Sequence, residues 1–114
     1  MPAKILVIDD EMLILNAVQR ALSRTGYLVY SAGNAEELSG ILKESPFDLL
    51  ITDVHLIDEP VDYVIECVTK GSPLVKVLMM SGSHNTYGAP HFIEKPLSIE
   101  GLRQKVKDIL DEPR

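Results

Sequence analysis

Short apolar runs that end in polar or acidic residues alternate with segments of helical periodicity, and that alternation constrains the fold more than any other feature of the chain. Residues 4–8 (KILVI) are continuously apolar and run into Asp9 and Asp10, which suits a strand buried on both faces. Leu13, Ile14, Ala17, Val18, Ala21 and Leu22 then recur at helical spacing, and Gly26 supplies a C-terminal stop. A second β-rich run covers residues 27–32. Asn34 and Glu37 follow with the spacing of a helix-capping pair, ahead of Leu38, Ile41 and Leu42, and Ser45-Pro46 closes that helix. Residues 47–52 (FDLLIT) form a third strand ending at Asp53, and Pro60 opens a helix carrying Val61, Val64, Ile65 and Val68 up to Gly71. Residues 74–80 (LVKVLMM) and 91–94 supply two further strands. Ser98 caps a last helix with the apolar face Ile99, Leu102, Val106, Ile109 and Leu110.

Strands alternating with helices imply a parallel sheet covered on both faces, with right-handed crossovers. The expected architecture is a flavodoxin-like, doubly wound α/β sheet of five strands in the order 2-1-3-4-5. At 114 residues, 46% hydrophobic and 25% charged, the chain has the size and composition of one ordered domain. Its net charge of -6 gives no overall reason to bind nucleic acid, which asks for a basic face. The single Cys67 excludes an internal disulfide and a multi-cysteine metal site, and points to a reducing compartment. No apolar run is long enough to span a membrane, and the first residues lead into a strand and not a signal peptide, so a soluble cytoplasmic domain is expected.

In this topology ligands gather outside the carboxyl ends of the strands, near the switch point between strands 1 and 3. Asp9, Asp10 and Asp53 all fall there. Three carboxylates at one edge repel one another unless a cation compensates, and a hard, oxygen-seeking ion such as Mg2+ fits that donor set. Ser81 at the end of strand 4 and Lys95 at the end of strand 5 add a hydroxyl and an ammonium to the same edge. The five residues together suit phosphoryl transfer to an aspartate, a reaction catalysed mainly by placement and charge neutralisation.

With KILVIDD, DLLITD, LMMSG and FIEKP at the ends of the first, third, fourth and fifth strands, the chain resembles the receiver domain of two-component response regulators over essentially its whole length. The resemblance implies that Asp53 accepts a phosphoryl group from a histidine kinase or histidine phosphotransfer protein. Asp9, Asp10, Asp53 and the backbone carbonyl of His55 would hold Mg2+. Ser81 and Lys95 would pair with the phosphoryl group, Ser81 and Phe92 would form the switch, and the Lys95-Pro96 bond would be cis. It also implies a domain that is no conventional enzyme but catalyses its own aspartyl phosphorylation and dephosphorylation. Output would pass to a downstream protein partner or a homodimer, with no direct nucleic-acid or membrane contact. Residues 1–114 would be a single receiver domain with no output domain present.

Two departures stand out. Only residues 82–90 (GSHNTYGAP) separate Ser81 from the fifth strand, fewer than the roughly 10 to 12 residues of a full crossover, so the family's fourth helix is expected to be missing or reduced to a loop. The segment after Asp53, VHLIDEPVD, lacks the Met-Pro and downstream Gly common in the family, and His55 occupies a position that in the family tunes hydrolysis of the acyl phosphate. The shortened segment motivates an alternative: a receiver-like interaction module that acts independently of phosphorylation. A haloacid-dehalogenase-like phosphatase would place an acid where His55 stands, and a flavodoxin would need a phosphate-cradling loop where the chain has the acidic DDEML. Taken singly, other residues have plainer readings. Phe92, Met79, Met80 and Cys67 suit packing, His55, His84 and His91 suit surface positions, and Arg103, Lys105 and Lys107 suit the solvated side of a helix.

Overall fold

The computed structural model describes residues 2–56, 59–82, 88–95 and 98–113. Five strands, β1 (Lys4–Ile8), β2 (Leu28–Ala32), β3 (Leu49–Asp53), β4 (Lys76–Ser81) and β5 (Phe92–Glu94), form one sheet in the order β2-β1-β3-β4-β5. Every neighbouring pair is parallel. Among the described residues, four α-helices, α1 (Met12–Ser23), α2 (Ala35–Ile41), α3 (Val61–Gly71) and α4 (Ile99–Asp111), account for the helical positions apart from a 3-10 turn at Leu42–Glu44. The doubly wound order expected from the sequence is therefore present.

Two apolar layers hold the sheet, because successive side chains of a strand point to opposite faces. On one face Ile5, Val7, Leu49, Ile51, Leu78 and Met80 pack against Leu15, Val18 and Leu22 of α1 and Leu102, Val106 and Ile109 of α4. On the other, Leu6, Ile8, Leu50 and Phe47 pack against Leu38 of α2 and Val64 and Val68 of α3. β1 and β3 are buried along nearly their whole length, as their unbroken apolar runs require. Met79 and Met80 are both strand core.

Local chemistry sets most boundaries. Asn34 Oδ1 accepts the Glu37 N–H at 2.9 Å, and Glu37 Oε1 accepts the Gly33 N–H at 2.7 Å, so this capping pair works in both directions. Ser98 Oγ accepts the Gly101 N–H at the start of α4. Gly26, just past α1, adopts φ +95°, a backbone conformation that side chains disfavour.

Several expected details are corrected. The buried stripe of α1 runs through Leu15, not Leu13, which is 86% exposed, and Ala17 is exposed as well. Ile14, Val18, Ala21 and Leu22 of the expected face do meet the core, and the difference lies at its edge, where Leu13, Ile14 and Leu15 are all apolar. Ile99 likewise lies half outside the face of α4. β3 starts at Leu49, since Phe47 is turned into the second layer and its N–H is taken by Ser72 Oγ at 2.8 Å. β4 starts at Lys76, because Leu74 sits in an exposed turn closed by the Val75 N–H to the Ser72 carbonyl. Between β4 and β5, Gly82 and residues 88–91 are non-helical. Residues 83–87, with His84, lie outside the described residues, as does Pro96 and with it the expected cis bond at Lys95-Pro96.

Candidate functional site

The first and third strands deliver the acids. β1 runs out at Ile8, and Asp9 follows, still tied to the sheet by its N–H to the Ala32 carbonyl at 3.2 Å. Asp53 is the last residue of β3, the neighbour of β1 in the sheet. Asp9, Asp10 and Asp53 each offer a carboxylate oxygen, all within 4.8 Å of one another. Asp9 is completely buried and Asp53 nearly so. The acids expected from the sequence to converge do converge.

The cation comes from the far edge. Lys95 follows β5, and its N–H donates to the carbonyl of Ser81, the last residue of β4, at 2.8 Å. Its ammonium lies 2.7 Å from Asp9 Oδ2, 2.8 Å from Asp53 Oδ2 and 2.8 Å from Glu11 Oε1. The approach to Asp9 Oδ2 is an ion pair and not a well-directed hydrogen bond, and that oxygen has no other hydrogen-bond donor. The remaining oxygens face main-chain donors: Asp9 Oδ1 accepts the Glu11 N–H at 2.9 Å and Asp53 Oδ1 the His55 N–H at 2.8 Å.

Burial pushes the Asp9 carboxyl above its ordinary value, and the neighbouring Asp53 charge adds to this, against the opposing pull of Lys95 and the Glu11 N–H. Burial alone would push the Lys95 ammonium down, yet its contacts with the Asp53, Asp9 and Glu11 carboxylates outweigh that and hold it firmly protonated. Among the described residues the site is thus a negative cluster with one fixed positive charge in it.

Ser81 is buried at the same edge, one position beyond Met80, the register partner of Asp53. The His55 side chain is exposed at the rim, where an open cleft is lined by Asp10, Glu11, Ile14, Asp53, His55, Gly82 and Lys95. Phe92 lies half-buried on β5, on the face opposite Ile93, which packs beneath α1 and α4. His91 is elsewhere, beside Glu112 at 3.4 Å, and Cys67 is a partly buried thiol on α3. Glu11 is the participant the sequence reading passed over. Its signal was the third acid in the run Asp9-Asp10-Glu11, noted only as making the loop acidic.

A comparison with known families bears directly on this arrangement: residues 5–107 match the response regulator receiver domain. The chain belongs to that family. This receiver domain is 36% identical over its whole length to the DNA-binding transcriptional regulator NtrC of a Bradyrhizobium species, and covers 26% of that relative. The chain thus spans about a quarter of the length of that curated relative. Among solved structures, a CheY-like receiver domain protein from Methanospirillum hungatei superposes with a TM-score of 0.83 at 28% identity, covering 97% of this chain and 95% of that one. NtrX from Brucella abortus gives a TM-score of 0.85 at 28% identity, over 97% of this chain and 27% of that one. The receiver domain is accordingly a module of two-component signalling. Among its described residues no helix is long and apolar enough to cross a membrane.

Proposed function

We propose that Asp53 is the phosphoacceptor of this receiver domain and that Asp9, Asp10, Asp53 and the His55 carbonyl hold the Mg2+ that the reaction needs. The donor set suits that ion: three carboxylates at one sheet edge, with the buried Asp9 carrying an ionised form that its surroundings penalise. Bound there, Mg2+ supplies neutralisation of the charge gathering on the transferred group. The chain's own residues do the rest. Main-chain donation from His55 to Asp53 Oδ1 fixes the carboxylate, leaving Oδ2 to attack phosphorus as the bond to the donor breaks. Lys95, already at Asp53 Oδ2, pairs with a phosphoryl oxygen, and Ser81 hydrogen-bonds another.

The observation that carries this reading is the Lys95 to Asp53 contact of 2.8 Å inside the carboxylate cluster. It joins the acceptor to its charge-neutralising partner across three strands. The phosphoryl source would be a histidine kinase or a histidine phosphotransfer protein in the cytoplasm. Output would pass to a protein partner or a second copy through changed pairing of Ser81, Lys95 and Phe92, without direct nucleic-acid contact by these acidic residues. Residues 1–114 would form the single receiver unit.

The test is intact-mass spectrometry after incubation with acetyl phosphate, with and without Mg2+, on wild type and Asp53→Asn. A Mg2+-dependent gain of one phosphoryl group in wild type alone is expected, and equal gain in Asp53→Asn would remove Asp53 from the role. The non-helical backbone at Gly82 and residues 88–91 favours a second reading, a module that binds its partner regardless of phosphorylation. A tenfold affinity difference, about 1.4 kcal/mol, with and without a phosphoryl mimic would exclude it.

A further inference from the structure

Glu11 occupies the position just before α1, where a short polar side chain would ordinarily cap the helix, and its side chain makes no capping hydrogen bond. It is directed to Lys95 instead, with Oε1 at 2.8 Å from the ammonium. That contact completes a set. An ammonium has three N–H donors, and Lys95 has three carboxylate partners within 2.8 Å: Asp9, Asp53 and Glu11. Two of the donors are hydrogen-bonded, to Asp53 and Glu11, and the Asp9 ion pair crowds the third, so a phosphoryl oxygen arriving at the ammonium displaces one of the three carboxylates.

The three partners are unequal. Asp9 and Asp53 side chains are 0% and 7% exposed, whereas that of Glu11 is 61% exposed. Withdrawing a cation from a buried carboxylate leaves an uncompensated charge in a poorly solvated place. An exposed carboxylate is rehydrated at once, and exposed ion pairs contribute little. Glu11 also lines the open cleft and is far more exposed than Asp9 or Asp53, so an arriving phosphoryl group would repel it where water can receive it. Release of Glu11 is the least costly way to free a donor.

We propose that Glu11 is a positioning residue for Lys95: it tethers the ammonium at the rim of the unmodified site and is the partner surrendered when a phosphoryl oxygen arrives. The proposal rests on Asp53 being the acceptor. It makes Glu11 a brake on phosphorylation, acting through Lys95 and not through the fold.

Two measurements test it. With acetyl phosphate and Mg2+, Glu11→Gln is expected to incorporate phosphate about two- to fivefold faster than wild type, the range set by an exposed ion pair. Glu11→Asp, which keeps the charge but is one methylene shorter, should also be faster. In a Lys95→Ala background the Glu11→Gln effect should disappear, because a residue acting through another has nothing left to act on. A wild-type rate in Glu11→Gln, or an acceleration that persists without Lys95, would overturn the proposal. The second measurement needs no phosphoryl transfer: the 15N signal of the Lys95 ammonium in the metal-free protein should broaden markedly in Glu11→Gln, and an unchanged signal overturns the tether. Failure of wild type to gain phosphate would instead overturn the acceptor reading and the release step with it, while the Lys95 signal still judges the tether.

Discussion

The two ends of the same sheet handle charge in opposite ways. At the amino end, cations and acceptors are matched. The Lys4 ammonium donates to the Glu44 carbonyl and lies 5.6 and 5.4 Å from the ring centres of Tyr30 and Phe47. The Lys4 N–H donates to Asp48 Oδ2 at 2.8 Å. Asp48 in turn joins three strands, its N–H reaching the Lys4 carbonyl and its carbonyl accepting from the Lys76 N–H. The Lys76 ammonium donates to the carbonyls of Ile109 and Glu112, serving the end of α4, which has no basic residue in its own last turn. At the carboxyl end, among the described residues, Asp9, Glu11 and Asp53 share the single ammonium of Lys95, with Asp10 close to both aspartates. One end uses polar groups to hold the fold, and the other holds an imbalance in readiness for a ligand.

That contrast can be broken most severely at Lys95. Lys95→Ala leaves Asp9 and Asp53 buried together without their cation, and should cost about 2–3 kcal/mol in denaturant unfolding of the metal-free protein. The loss should shrink in acid as the carboxylates take up protons. A cost below about 0.5 kcal/mol would mean the cluster is already neutralised by other means.

Next comes the amino end. Ser72→Ala removes the acceptor of the Phe47 N–H in a buried place, so it should cost about 1–3 kcal/mol and leave Mg2+ binding untouched. Calorimetric titration with Mg2+ alongside urea unfolding checks both halves of that statement.

The smallest effect has the opposite sign. The Asp9 carboxyl is raised above its usual value of 3.8 by burial, so the folded state holds that proton to higher pH than the unfolded chain does. Stability is therefore lost as pH rises from 3.8 through the folded-state value. Asp9→Asn should melt slightly above wild type at neutral pH in the presence of a chelator. The gap should close as the pH falls toward 3.8, and should reverse when Mg2+ is added, since only wild type gains binding free energy. A lower melting temperature for Asp9→Asn at neutral pH would show that Lys95 more than repays the burial of Asp9.

Much of this was legible in the sequence, for identifiable reasons. β1 and β3 are interior strands, and interior parallel strands announce themselves as unbroken apolar runs. Asp9, Asp10 and Asp53 could be brought together because the strand order alone fixes which loops share an edge. The edge of the α1 face was not legible, since Leu13, Ile14 and Leu15 are all apolar and only the packing beneath them decides which is buried. Nor was the role of Glu11 in holding Lys95, because a contact spanning 84 residues depends on where β5 ends. Phe47 and Leu74 were misread as strand because each is apolar for another reason, one a plug of the second layer and the other an exposed turn residue.

The hydrogen bond from the Lys95 N–H to the Ser81 carbonyl makes the last rung between β4 and β5 part of the charge apparatus. β5 is an edge strand of three residues, paired on one side only, while β1 and β3 are clamped on both. A pull on the Lys95 side chain is thus borne by the least braced strand of the sheet. Redistributing charge around Lys95 should therefore show first as faster amide exchange at Lys95 itself, with the interior strands unmoved.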